Sequence, residues 1–393
     1  MPSVSPCSNK NLCASASLRL RSSLSVSPQN MRPVCHSKCL MNLKNSAPQP
    51  VSSPGRGFSV KLVIFSLICI RHCCNIIITF ASAKKENRKS NENNEKDMEL
   101  IRNTSFEGER PLFASRDLRL ENVVIYPGES ALKECSNIEA VGCEFQGKYP
   151  FWHVDGFSID NCVFREGARA ALWYSRRLTM RDTRVEAPKM FREMEDLTLE
   201  NVVMPDAQET LWHCRGVRLN NVDVDNADYL FMHSSDICID NYRQHGNYSF
   251  QYCRNVEISN ALIYSKDAFW GTEDVTVRDS EIHGEYLGWH SKRLRLVNCR
   301  ISGTQPLCYA TDLVMENCVM DADCDLAFEC STLQATVNGT ITSVKNPRSG
   351  SIKAAGYGEI IIDGNLKEPG DCVISKGVFR PPSGVLLGVK ELK

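Results

Sequence analysis

No stretch of this 393-residue sequence stays apolar and uninterrupted over the ~20 residues a bilayer requires. The nearest approach, 58–83, is cut by Arg71-His72 into runs at 62–70 and 73–83, and a central Arg costs roughly 2.5–3.5 kcal/mol on insertion. A signal peptide fits no better, since its apolar core belongs much nearer the N-terminus. No CxxC motif with a later partner pair occurs, which removes the structural zinc frameworks. No Gly-x-Ser-x-Gly elbow occurs either, so a hydrolase nucleophile of that kind is excluded. Charge of one sign is also lacking, with 46 Lys+Arg against 47 Asp+Glu. The balance hides an asymmetry: residues 1–97 hold 14 basic and 4 acidic side chains, a net of +10, and the rest hold 32 against 43, a net of −11. An acidic body argues against nucleic acid as a partner, because phosphate binding needs a basic face.

The apolar share, 42%, is enough for a sizeable core. Cysteine is plentiful at 19, seven before residue 98 and twelve after. A disulfide framework belongs to short secreted chains, so these thiols read as small apolar packing residues. Residues 1–57 are rich in Ser, Pro and Asn without an apolar period, and 84–97 is a charged, Asn-rich linker. Residues 1–97 are therefore expected to be a disordered or non-native extension, with the functional protein opening near Met98. That appendage leaves a cytoplasmic protein as the expectation and anchoring through 58–83 as the alternative.

From residue 115 onward the chain repeats itself. The phrase apolar-x-apolar-x-Asn begins at Leu118, Ile138, Phe157, Leu178, Leu197, Val217, Ile237, Val256, Val275, Leu294 and Leu313, in steps of 19 to 21. Its period of two marks a short strand with one buried face. A second apolar anchor follows in each repeat: Leu132, Phe151, Leu172, Phe191, Leu211, Leu230, Phe250, Phe269, Leu287 and Leu307. Two strands and their turns per repeat, with no helical period, predict an all-β right-handed parallel β-helix of about 11–13 coils. The leucine-rich repeat, of similar period, places its Asn one residue later and needs a convex-side helix. Residues 98–117 are expected as an N-terminal cap, 118–332 as regular coils, and 333–393 as irregular last coils with a C-terminal cap. The Asn column (Asn122, Asn161, Asn201, Asn221, Asn241, Asn260, Asn298, Asn317) suits a left-handed turn and can hydrogen-bond from coil to coil. Cys143, Cys162, Cys299 and Cys318 share the adjacent register, as an interior stack.

The wording of Phe106-Glu-Gly-Glu-Arg-Pro-Leu-Phe113, Gly128-Glu-Ser-Ala-Leu-Lys-Glu-Cys-Ser136, Gly147-Lys-Tyr-Pro-Phe-Trp-His153, Gly284-Glu-Tyr-Leu-Gly-Trp-His290 and Gly303-Thr-Gln-Pro-Leu-Cys-Tyr309 resembles domain of unknown function family 3737, an uncharacterised, mainly bacterial family of the pectin-lyase-like superfamily. The resemblance covers about 98–375 and implies a β-helix, normally without an N-terminal extension. It brings no established activity and no catalytic residues. The superfamily suggests polysaccharide chemistry, but fold is not function.

Stacked coils turn sequence registers into columns spaced about 4.8 Å. Two residues before the second anchor, the column contains Glu209 and Asp228 as expected neighbours, and likewise Asp267 and Glu285. Carboxyls ~5 Å apart match a retaining glycosidase and those ~9 Å apart an inverting one, so these four are the candidate catalytic residues of a polysaccharide hydrolase or lyase. The competing reading is a solvated ladder relieved by Lys189, Lys266 or a cation. Trp152, Trp173, Trp212 and Trp270 follow the anchor by one residue, Trp289 by two, and Arg192, Phe231 and Gln251 fill the coils between. Facing outward, such a strip stacks on sugar rings; facing inward, it is core. Trp152, Trp173, Lys189, Arg192, Trp212 and Trp270 are the candidate substrate-binding residues. His213 and His233 fall at different offsets, so no metal is expected among the histidines. No cofactor is expected, Ca²⁺ entering only if the ligand is anionic. The acidic body favours a neutral glycan as partner, and a non-enzymatic protein-binding scaffold is the alternative function.

Overall fold

In the computed structural model, residues 98–364 and 370–377 are described. The extension and the apolar segment 58–83 lie outside the described residues. Among those described, regular structure is β throughout apart from one short turn of 3-10 helix at Glu166–Ala168. No described helix is long and apolar enough to cross a membrane.

Strands of successive coils pair in parallel, and the repeat phrase sets their register. Leu118 stands opposite Ile138, Phe157 opposite Leu178, Leu197 opposite Val217, and Ile237 opposite Val256. On this first side, alternate residues point inward, as in Arg116–Glu121, where Leu118 and Leu120 are buried. A second side follows the Asn corner and is short in the early coils (Glu144–Phe145). In the middle coils it fuses with the first into strands such as Ser235–His245. A third side, built of turns, carries the second anchor and returns the chain to the start of the next coil. The result is a right-handed parallel β-helix of about 14 turns.

That is more turns than the repeat phrase alone indicates. Glu99–Arg102 and Ser105–Glu109, expected as a cap, pair with Arg116–Glu121 and Val124–Glu129 and so form a coil themselves. At the far end Thr332–Lys345, Ser349–Ile361 and Val373–Lys376 continue the winding. These coils lack the Asn phrase, and the later ones are shorter, with partners 17 residues apart as in Asn346–Asp363. They keep the inward alternation, through Leu333, Ala335, Val337, Ile352 and Ala354.

The Asn column sits outside, at the first corner, in the left-handed region: φ is 55° at Asn201, 55° at Asn221 and 51° at Asn241. Each amide donates to the previous coil, Asn201 to Asp182 (2.8 Å), Asn221 to Asn201 (2.8 Å) and Asn241 to Asn221 (2.9 Å). The twelve described cysteines are free, and Cys143, Cys162, Cys299 and Cys318 are buried. Burial pushes the Cys135 thiol up to about 11 and those of Cys214 and Cys253 up to about 12, so these groups stay protonated and pack as apolar side chains.

Candidate functional site

The third side holds the side chains that could carry chemistry, and backbone hydrogen bonds define its register. An amide in a parallel pair donates to the carbonyl one residue before its partner. Phe231, Phe250 and Phe269 stack at 4.7 and 4.9 Å, so Phe231, not Leu230, is the anchor of its coil. The Gly288 amide donates to the Ala268 carbonyl, which makes Gly288, not Leu287, the anchor opposite Phe269. Two coils thus shift by one residue from the register expected from the apolar pattern. All five tryptophans then follow an anchor by one, and Met232 replaces Phe231 in that column.

This shift offsets the expected carboxylate pairs by one residue. Glu209 donates its amide to the Asp228 carbonyl, which sets it opposite Tyr229; Asp267, bonded to the Glu285 carbonyl, is opposite Tyr286. The true column reads Lys189, Glu209, Tyr229, Tyr248, Asp267, Tyr286, with Tyr229 and Tyr248 stacked at 4.8 Å. Glu209 and Asp267 are three coils apart, ~14 Å at the strand spacing. The Glu209 carboxylate reaches back to Lys189 (2.9 Å) and Arg192 (3.8 Å), while Asp228 points forward and accepts from the Asn247 amide (2.7 Å). Glu285 pairs with Lys266 at 3.4 Å. Burial, with Lys266 opposing and Glu285 adding to it, raises the Asp267 carboxyl, and tyrosines stand opposite it on both adjacent coils. Register thus sets tyrosines opposite Glu209 and Asp267, while the carboxylates of Glu209 and Glu285 are held by Lys189 and Lys266.

The tryptophan column faces outward and is half-buried, and neighbouring rings stack on one another or on Arg192. Trp152 and Trp173 stack at 5.5 Å, and Trp270 and Trp289 at 5.4 Å. Arg192 lies between two indoles, its Cζ 4.3 Å from the Trp173 centroid and 4.5 Å from that of Trp212. Lys133 covers the outer face of Trp152 at 5.7 Å. The indole N–H groups of Trp152 and Trp173 donate to the carbonyls of Ala170 (2.6 Å) and Lys189 (2.7 Å). The facing ring surfaces from Trp152 to Trp212, and those between Trp270 and Trp289, are thus taken up within the strip. Replacing Arg192 by alanine should cost about 0.5–2 kcal/mol through the two lost cation–π contacts. It should also raise quenching of tryptophan fluorescence by iodide, and unchanged quenching would contradict the sandwich.

The next column, expected inside by strict alternation, is exposed. Its residues adopt the left-handed conformation, with φ 54° at His213, 55° at His233 and 58° at Tyr252, which turns the chain through a corner and breaks the alternation. After the shift His213 and His233 share this column and stack at 5.2 Å, and His233 stacks on Tyr252 at 4.9 Å. Inside this corner Ser175 and Ser234, each on its own coil, donate to the anchor carbonyls of Phe151 and Leu211, both at 2.7 Å, which satisfies the backbone there.

Along this corner two open recesses of about 550 and 470 Å³ run together, sharing His233 and Ser235. One wall is the column Glu193, His213, His233, Tyr252; the other is the start of the first side, from Glu195 through Arg215 and Arg254 to Lys292. Met194, Cys214 and Ser234 form the floor. Arg215 pairs with Glu195 (3.1 Å) and Arg254 with Glu273 (3.7 Å). None of these wall residues stands among the sequence candidates for catalysis or substrate binding. Among the described residues no group of three His, Cys, Asp or Glu side chains could hold a metal ion.

Burial, then the neighbouring His213, lowers the His233 pKa below its ordinary 6.5. A depressed histidine contributes stability that is complete above the unfolded pKa and lost as pH falls through the folded one. The melting temperature should therefore drop on acidification from about pH 7.5 to 5. His233→Asn, whose side chain tolerates the left-handed corner, should show a smaller drop, and an identical pH profile would contradict the assignment.

Residues 99–375 match the family described as "Protein of unknown function (DUF3737)". No curated protein matches. Among solved structures, the chain is similar to the mannuronan C-5 epimerase AlgE4 A-module of Azotobacter vinelandii, at 13% identity over 71% of this chain and 91% of that one, with a TM-score of 0.30. A GH87 alpha-1,3-glucanase catalytic domain matches at 10% identity over 71% and 64%, TM-score 0.32. PfbA, a surface adhesin of Streptococcus pneumoniae, matches at 8% over 70% and 82%, TM-score 0.30. At these scores the superpositions carry no argument about residues or activity.

Proposed function

This chain belongs to the DUF3737 family of unknown function, and from that premise we propose that it binds a linear polysaccharide lying in the corner groove. The observation that carries the reading is the union of two recesses into one trough parallel to the solenoid axis. Its rungs recur about every 4.8 Å, a spacing suited to successive units of an extended polymer. Imidazole and phenol edges on one wall, with carboxylates and guanidinium groups on the other, offer donors and acceptors to hydroxyls at every step. Binding fits better than cleavage, since the carboxylates of Glu209 and Glu285 are held by Lys189 and Lys266.

Retention of the full chain on a panel of immobilised polysaccharides tests the proposal. At least one linear glycan should retain it, and a His213→Ala/His233→Ala variant should bind about tenfold more weakly, a loss of two polar contacts and their packing. If no glycan retains the chain, or the double variant binds as well as the parent, the groove is not the site. A protein-binding scaffold then becomes the better account.

A further inference from the structure

Resting on the polysaccharide reading of the groove, we infer that Tyr252 is its stacking platform, an aromatic face that seats one pyranose ring of an uncharged glycan. The Tyr252 amide donates to the Trp270 carbonyl and the Gly271 amide to the Trp289 carbonyl, so Gly271 and His290 are the next two members of the corner column. One face of Tyr252 rests on His233, with ring centroids 4.9 Å apart and planes 10° from parallel. On its other side the column supplies a residue without a side chain. The ring pairs His153–Tyr174 and His290–Tyr309 are instead followed by Glu193 and Cys330.

The glycine answers to the ring and not to the backbone. Its φ of 63° is close to the 55° of His233 and the 58° of Tyr252, which carry rings at the same corner. A Cβ at Gly271, however, would come within 2.8 Å of Cδ1 and Cε1 of Tyr252. Tyr252 therefore leans over the place that a larger residue would take. It is 45% exposed, and with Gly271 it lines the recess of about 470 Å³.

A pyranose with mostly equatorial hydroxyls carries axial C–H groups on its faces, and these electron-poor hydrogens pack onto the electron-rich face of a phenol ring. A furanose ring has no such flat C–H face. Hydroxyls at the rim of a sugar seated there reach Glu273 as acceptor and Arg254 and Lys292 as donors, which line the same recess. These groups carry both signs, and the net charge of −11 on residues 98–393 disfavours polyanions, so the sugar is uncharged.

Calorimetric titration of the full chain with cellohexaose, laminarihexaose and mannohexaose, three neutral pyranose chains, and with an inulin-type fructan hexamer, a furanose chain, tests the inference. At least one pyranose chain should bind, and the fructan should bind about tenfold more weakly than the best of them. Tyr252→Ala should weaken that best binder about tenfold or more with melting temperature retained, whereas Tyr252→Phe, which keeps the ring, should stay within about twofold. Unchanged affinity in Tyr252→Ala, or an equal loss in Tyr252→Phe, overturns the platform but leaves the groove reading standing if His213→Ala/His233→Ala still weakens binding. Equal or tighter binding of the fructan overturns the pyranose assignment. If none of the three pyranose chains binds, the inference fails, and the groove reading fails with it only if no immobilised polysaccharide retains the chain.

Discussion

Replacing Phe250 by alanine should destabilise the β-helix by about 3–5 kcal/mol. The ring is fully buried between Phe231 at 4.7 Å and Phe269 at 4.9 Å, near parallel to both at 11° and 13°. Both neighbours are held by parallel pairing on their own coils, so the space left by the ring cannot collapse, and the loss combines transfer and cavity terms. Because coils contact only their neighbours, weakening a middle coil should also loosen the coupling between the two ends. Urea unfolding should show a lower midpoint and a broader transition. A loss under about 1 kcal/mol would mean that the third side is too loosely packed for the stack to matter.

The second large effect is expected at Gly288, the one anchor without a side chain. A Cβ there would meet Cδ2 of Leu294 and Cδ2 of Leu307, each at 2.9 Å, and both leucines are fully buried. The positive φ of 66° is not the obstacle, since Phe269 and Leu307 hold φ of 60° and 62° at equivalent positions. What excludes a larger residue is the interior volume already filled by Leu294 of the first side and by Leu307, the next anchor. Gly288→Leu should therefore cost about 1–3 kcal/mol by overpacking. Adding Leu294→Ala should recover part of that loss, although Leu294→Ala alone is destabilising. Additive losses in the double variant would contradict this account of the anchor column.

The winding, the inward alternation and the Asn corner were legible because eleven repeats state the same phrase. What misled was local. In Tyr229-Leu230-Phe231 two adjacent residues are buried, and apolar character alone cannot tell which is the anchor. In Tyr286-Leu287-Gly288 the anchor is a glycine, which no apolar pattern can register. These two one-residue slips moved Asp228, Glu285 and His233 into the wrong columns, setting carboxylates opposite each other where the structure sets tyrosines, and hiding a histidine stack. The outward turn of Glu134 and Tyr174 was equally hidden, because residues of these types rarely mark a left-handed corner. Once the register is corrected, the run His213, His233, Tyr252 in one column is the signal that points to the groove.

The most direct test of the groove is a titration of the ring-labelled histidine chain, followed by NMR, with the oligosaccharide that binds it best. The account predicts shifts at His213 and His233, and none at His245 and His283, which lie on the second side beside Asp225 and Glu281. Shifts confined to His245 and His283, or no histidine shift under saturating ligand, would contradict it.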